Sequence, residues 1–349
     1  MSLFEVLDIV EAYERRPVPR IFRDRTCPYD TLSDTEFRKD YRFSRPVFFQ
    51  ICDMMKDRLE HHSGRGSDLT VADQVGIYIH LLGRNIIQSD AARIAGCNQA
   101  TVSRALESFL AVINEMAGQF IRWPDREECA EIRRSFFRAH GLPGIVGIIE
   151  GTHCKIMRSS DDPEDYICRK SYPSLNAGIV IDFTTRIRWV SAKWPGSAHD
   201  SRVFKTSVLY RQLERNEVQG AIIGDSAYAL ETFLLKPLNN PQTRKEVKYN
   251  KALCSARAKI ERSFGVLKRQ WHILHGECRY APEKAAQIIV ACCVLRNIAI
   301  DAREPRDYDE YRGRDMRDGE VPVEALNEVM EPPRCDAKAL QRSIIENYF

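Results

Sequence analysis

The chain has 349 residues, 44% of them hydrophobic and 29% charged, the balance of a soluble globular protein long enough for two domains. No apolar run approaches the roughly 20 residues of a membrane span. The first residues carry Glu5, Asp8 and Glu11 where a secretory leader needs a basic start and an apolar core. The net charge of +3 is uneven: 13 acidic and 8 basic residues from Asp301 onward leave that tail at −5 and the first 300 residues at +8. A basic body permits a polyanion partner such as DNA, and a membrane partner is not expected. Eleven cysteines, scattered without CxxC spacing, fit buried thiols in a reducing compartment, nuclear or cytosolic.

Residues 1–30 read as a basic N-terminal arm, with Arg15, Arg16, Arg20, Arg23 and Arg25 around Pro17 and Pro19. A helical domain is expected over 31–125. Ser33 or Asp34 caps a first helix before Phe37. A second covers Pro46 to Leu59, with Val47, Phe48, Ile51, Met54 and Met55 at helical spacing. His61 to Asp68 reads as a loop, and Val71 to Leu82 as a third helix.

In QSDAARIAGCNQATVSRALESFL, Ala92, Gly96 and Val102 fall at offsets that suit a helix-turn-helix. Asn98, Gln99, Thr101, Ser103 and Arg104 would then line the exposed start of the second helix, with side chains able to reach bases or phosphates. An ordinary helical hairpin is the alternative. Glu127 to Ala139 is a linking helix.

The apolar run Ile145, Val146, Ile148 and Ile149 predicts a strand buried on both faces, ending in Glu150, Gly151, Thr152 and His153. GIVIDF and IRWVSAKW predict a hairpin. A helix follows Asp200, and AIIGDSAY is a short strand ending in Asp225. Two helices follow, from Ser255 and from Pro282. Residues 301–349 read as an acidic, largely disordered tail with a short terminal helix from Lys338.

Strand, hairpin, helix, strand, helices is the element order of an RNase H-like fold, expected over 126–300. Glu150 and Asp225 end two strands, where open α/β sheets place chemistry. Glu261 shares a helix face with Arg257, Gly265 and Lys268, a polar face that would look toward a metal and a phosphate. Hydrolysis or transfer of a phosphodiester needs this kind of set: two Mg²⁺ or Mn²⁺ ions about 3.5–4 Å apart clamp the attacking and leaving oxygens. Such hard cations take oxygen ligands from converging carboxylates. Each acid also has a plainer role, with Asp225 as a helix N-cap and Glu261 paired to Arg257 at i,i+4. The consecutive His199, Asp200 and Ser201 cannot form a catalytic triad. His153, Cys154 and Cys168 lack zinc-finger spacing.

IEGTH, WPGSAHDS, GDSAY, KIERSFGVLKRQW and ACCVLRN occur in that order, after YRFSRPVF, NQATVSR and FIRWP. Through these motifs the chain resembles PIF/Harbinger-type transposases, and in particular the Harbinger transposase-derived nucleases of animals. The resemblance implies an RNase H-like DDE nuclease domain whose acids, here Glu150, Asp200, Asp225 and Glu261, bind a divalent metal cation. It also implies a separate Myb-like partner protein that assists nuclear entry, and leaves room for a homo-oligomer. The chain departs from the family twice: Glu150 stands where Asp is usual, and Leu295, Arg296, Asn297 replace Leu-His-Asn. The longer Glu150 moves its oxygens outward by about one bond, while metal sites need ligands held within about 0.5 Å. An active domesticated nuclease and a scaffold that keeps only the fold are thus both compatible with the sequence.

Overall fold

The computed structural model describes residues 28–60, 69–158, 163–305 and 336–349. The basic arm up to residue 27, the loop over 61–68, residues 159–162 and the acidic stretch 306–335 lie outside the described residues.

A single helical turn, Pro28–Thr31, precedes five helices: α1 (Asp34–Tyr41), α2 (Arg45–Leu59), α3 (Val71–Arg84), α4 (Gln88–Ile94) and α5 (Gln99–Glu115). The starts follow local chemistry. Ser33 and Thr70 cap α1 and α3 through reciprocal bonds with Glu36 and Asp73. Buried Phe37, Tyr41 and Phe48 stack with the half-buried Tyr29, ring centroids 4.6–6.4 Å apart. After the turn Ala117–Phe120, α6 (Arg126–His140) begins at an Asp125–Glu128 capping box and ends on left-handed Gly141.

The sheet follows: β1 (Ile145–Lys155), β2 (Ser174–Ile181) and β3 (Ile187–Pro195), then α7 (Asp200–Lys205), α8 (Val208–Glu214), β4 (Ala221–Ile223) and β5 (Leu234–Leu235). The strand order is β3-β2-β1-β4-β5. The hairpin β2–β3 runs antiparallel, β2 is antiparallel to β1, and β4 and β5 are parallel to β1. β1 is therefore central, which explains why Ile145 through Ile149 is apolar at every position and buried. Gly220, φ 105°, turns the chain into β4 where any Cβ would collide with Val146.

α9 (Arg244–Gln270) and α10 (Pro282–Asp301) complete this part, separated by the turn His272–His275. α9 starts eleven residues before the expected Ser255, at a Thr243–Glu246 capping box. Its first half carries Arg244, Lys245, Glu246, Lys248 and Lys251, and its buried Tyr249 and Leu253 recur too sparsely to be read as a stripe. The C-terminal helix α11 (Ala337–Tyr348) packs against α9 and buries Leu340, Ile344 and Ile345. Gln341 donates to the Lys236 carbonyl at 2.8 Å, and the Lys245 ammonium to the Glu346 carbonyl at 2.5 Å. The described end of the tail is thus docked.

The helical region and the sheet share one continuous hydrophobic core. Phe43 packs on Trp271 with centroids 6.0 Å apart. Buried Asn297 accepts from the Ile187 amide at 2.9 Å, and donates to the Ile187 carbonyl at 2.8 Å and the Phe120 carbonyl at 3.0 Å. At this position α10 pins β3 to the end of the helical region. No described helix is long and apolar enough to cross a membrane.

Ser44, at the N-cap of α2, makes no local side-chain cap. Its amide instead donates to Glu304 Oε1 at 3.0 Å, and its hydroxyl to the same oxygen. The Glu304 side chain is 4% exposed. Glu304→Ala should lower stability by about 1–2 kcal/mol, the value of a helix cap, read as a lower urea midpoint at unchanged slope. An unchanged midpoint would refute the remote cap.

Candidate active site

β1 pairs with β4 in parallel with Ile148 opposite Ile223. Glu150 and Asp225 each follow two residues later and so lie level, but only Asp225 is past the end of its strand: β1 does not stop at Glu150 as expected, because pairing with β2 carries it on to Lys155. Neighbouring residues on a strand point to opposite faces. Glu150 turns toward α9, where Arg257 donates to its Oε2 from Nη2. The two side chains are 14% and 18% exposed. Burial pushes the Glu150 carboxyl up; Arg257 pulls it back, Asp225 and Asp200 add repulsion, and the net direction is upward. Burial works against the Arg257 charge, but Glu150, Asp225 and Glu261 outweigh it and raise its pKa.

Gly151 faces the other side, and the Asp200 carboxylate occupies the space its Cβ would need. A glycine inside a strand marks such a close approach. Asp200 opens α7 and is held by Asn176 of β2, whose amide donates to Oδ1 at 2.6 Å and to the Ala198 carbonyl at 2.8 Å. Asp225 accepts from the Ala227 amide at 2.9 Å, a short turn rather than the cap of a helix. Tyr228 closes this turn and is 2% exposed, its ring packed on Gly224 and Phe204. Its hydroxyl has no hydrogen-bond partner among the described residues. Burial drives its pKa well up, with Asp200, Glu150 and Asp225 adding to the rise. The sequence reading passed over Gly151, Asn176 and Tyr228. Gly151 and Tyr228 lie inside the motifs quoted above, while nothing local marks Asn176.

The structure therefore brings Glu150, Asp200 and Asp225 into one electrostatic neighbourhood. It does not bring Glu261 into contact with them: Glu261 is exposed on α9. Nor does Glu261 take Arg257 as an i,i+4 partner, because Arg257 reaches across to Glu150. Lys268, expected on a face toward the metal and a phosphate, instead donates to the His153 carbonyl of β1 at 2.7 Å. The face assigned from helical periodicity is thus split: β1 takes Arg257 and Lys268, and Glu261 is left exposed. His153 Nδ1 lies 3.1 Å from the Ser174 hydroxyl. Burial lowers its pKa, Asp200 opposes that, and Lys268 assists it.

The expected four-acid cage is not assembled among the described residues. Among the described residues no three His, Cys, Asp or Glu side chains group closely enough to hold one ion. The cause is geometric: Glu150 and Asp200 lie on opposite faces of β1, and Glu150 is drawn toward Arg257. The donor chemistry still suits a hard cation. Three carboxylates gather at a half-buried edge, and their mutual repulsion is what a divalent ion relieves.

In the helical region, α4 and α5 are joined by Ala95–Asn98, with Gly96 left-handed at φ 60°. Ala92 and Val102 are buried at that junction, 4% and 0% exposed. Asn98 caps α5, accepting from the Ala100 amide at 3.3 Å. Gln99 and Arg104 are exposed, and Thr101 and Ser103 half-buried. The Tyr78 hydroxyl donates to the Val102 carbonyl at 2.9 Å and fixes the second helix on α3.

Residues 149–297 match the family model described as DDE superfamily endonuclease. The human protein "Putative nuclease HARBI1" is 28% identical over 325 residues, 92% of each chain. Its Xenopus laevis namesake is 26% identical over the same length. The Arabidopsis thaliana "Protein ALP1-like" is 28% identical over 293 residues, 77% of this chain and 71% of that one. No solved structure matches. The likeness to Harbinger-derived nucleases drawn from the motifs is borne out.

Gly151→Ala should displace Asp200 and cost about 1–3 kcal/mol, as overpacking does. The double variant Gly151→Ala with Asp200→Ala should recover most of that loss, since it removes the colliding group. Additive losses in urea unfolding would mean that the two residues do not share this space.

Proposed function

From a chain with a DDE superfamily endonuclease match over residues 149–297, we propose a transposase-derived, domesticated nuclease that hydrolyses DNA phosphodiester bonds with Mg²⁺ or Mn²⁺. The observation that carries this reading is the level placement of Glu150, midway along β1, and Asp225, just past the end of the parallel strand β4, with Asp200 lodged over Gly151. The strand order β3-β2-β1-β4-β5, with β2 antiparallel to its neighbours, supports an RNase H-like domain over 126–300.

Glu150, Asp200 and Asp225 would hold the cation only once they close in on one point, since as they stand no three acids among the described residues group around one ion; Glu261, one turn beyond Arg257 on α9, would join only if that helix shifts as well. When bound, the cation supplies charge neutralisation at the phosphate and activation of water. The chain's own groups do the rest. Asn176 fixes the Asp200 rotamer, so that one oxygen is spoken for and the other stays open. The Asp225 turn holds its carboxylate at the sheet edge. The Tyr228 phenol keeps its proton at any physiological pH and can act only as a donor toward an anionic oxygen. Arg257 and Lys268 put positive charge beside the acids, which favours a phosphate backbone.

Residues 31–125 act as the DNA-holding unit, with Asn98 capping α5 and Gln99, Thr101, Ser103 and Arg104 at its start. A nuclear location, a Myb-like partner protein and a homo-oligomer complete the reading, on the family likeness alone. A second reading, a scaffold that binds DNA or a partner without cutting it, is favoured by the Glu150–Arg257 pair, which commits the first acid to a protein cation.

In a plasmid-nicking assay with Mn²⁺, the wild type should nick DNA, and Asp225→Asn or Asp200→Asn should abolish it. Cleavage surviving Asp225→Asn would sink the site. An inert wild type that gains activity as Glu150→Asp would establish the scaffold reading. Separately, Arg104→Ala should weaken duplex binding and reduce the salt slope by about one; an identical slope would remove α5 from the interface.

A further inference from the structure

The acid cluster already contains a cation. Arg257 of α9 donates to Glu150, and both side chains are largely buried. Its Nε is also buried and makes no hydrogen bond among the described residues. The guanidinium is thus held through one nitrogen, with a donor to spare, beside three carboxylates. Lys268, the other α9 cation that reaches β1, is committed to a backbone carbonyl. Arg257 is therefore the α9 cation whose partner at β1 is an acid that a divalent ion would need.

Side-chain length matters here. Glutamate carries its carboxylate one methylene farther than aspartate, and at position 150 that reach lets it meet α9. A guanidinium and a divalent cation cannot share the outer oxygens of one carboxylate without strong mutual repulsion at a few ångströms. A phosphodiester, however, is a good alternative acceptor, because the planar fork of arginine matches its oxygens in pairs.

We propose that Arg257 is a positioning residue that couples substrate to cation. Without DNA it neutralises Glu150 and competes with the divalent ion. A backbone phosphate at the site draws the guanidinium off Glu150 and frees that carboxylate for the ion. The inference rests on the nuclease reading and adds an order to it: DNA first, then the cation. Linkage makes the coupling reciprocal, so the ion must raise DNA affinity by the same factor as DNA raises ion affinity.

The test is a Mn²⁺ titration of the full chain, with free ion read by electron paramagnetic resonance. It is run with and without a short DNA duplex, whose own ion uptake is subtracted. This readout does not depend on cleavage. Arg257→Gln should bind Mn²⁺ about tenfold tighter than wild type without DNA, a charge effect of the usual size at such distances. The duplex should tighten Mn²⁺ binding to wild type clearly more than to Arg257→Gln, in which only the direct attraction between ion and phosphate remains. Arg257→Lys, which keeps a charge without the fork, should fall between the two and guards against a folding defect in the neutral variant. Arg257→Gln binding no tighter than wild type, or a duplex with no effect on wild type, overturns the proposal. Asp225→Asn separates the two levels. Binding that is lost in Asp225→Asn yet indifferent to Arg257 overturns the coupling alone. Absence of Mn²⁺ binding in every form, with and without DNA, overturns the nuclease reading and the coupling with it.

Discussion

The parallel pairing of β1 with β4 is the constraint on which the rest of the site depends. A parallel pair requires a crossover rather than a tight turn. Here the crossover holds the β2–β3 hairpin, α7 and α8, and it returns the chain beside its own central strand. The register, Ile148 opposite Ile223, then puts two acids at one edge without any direct bond between them. Gly220 and Gly151 serve this pairing in different ways. Gly220 lets β4 start against Val146, and Gly151 leaves room for the carboxylate delivered by α7.

Electrostatics explains why such an edge needs a countercharge. Three carboxylates in a half-buried setting repel one another, and burial penalises each charge separately. Arg257 answers this at Glu150, at the expense of its own desolvation. Removing one member of a pair this buried leaves the other uncompensated, which is typically the costly event. The pair is accordingly both a stabilising contact and an obstacle to any second cation. Substituting glutamate for aspartate at position 150 is thus a change of partner as well as of length.

The helical region is bound to this frame by specific contacts. Phe43 on Trp271, Asn297 between β3 and the Phe120 turn, and Glu304 on Ser44 all cross from one part to the other. α5 itself reaches α10 through Asn114, which donates to the Gln287 carbonyl at 3.2 Å, and through the Glu107–Lys284 pair at 2.9 Å.

Local chemistry made much of this legible in the chain itself. The cap at Ser33, the left-handed Gly96, the β-branched run of β1, the hairpin and the helix from Pro282 all follow from short-range propensity and periodicity. Asp225 past the end of β4 followed from element order, whereas Glu150 proved to sit midway along β1; the family setting of both followed from motif order. Other features depended on partners distant in sequence. The first half of α9 is covered by α11, a helix the sequence did announce, but the docking of the one on the other is written in neither segment. Asn176 meets Asp200 only because β2 lies beside β1. The helical wheel grouped Arg257, Glu261 and Lys268 on one face, yet β1 takes Arg257 and Lys268 inward and leaves Glu261 in solvent. The sequence by itself determined which groups carry charge, where the elements start and which strand lies at the centre, because those are set within a few residues. Only the tertiary structure decided which charge meets which, because a contact between Glu150 and Arg257 depends on the packing of a helix more than a hundred positions away against one face of one strand.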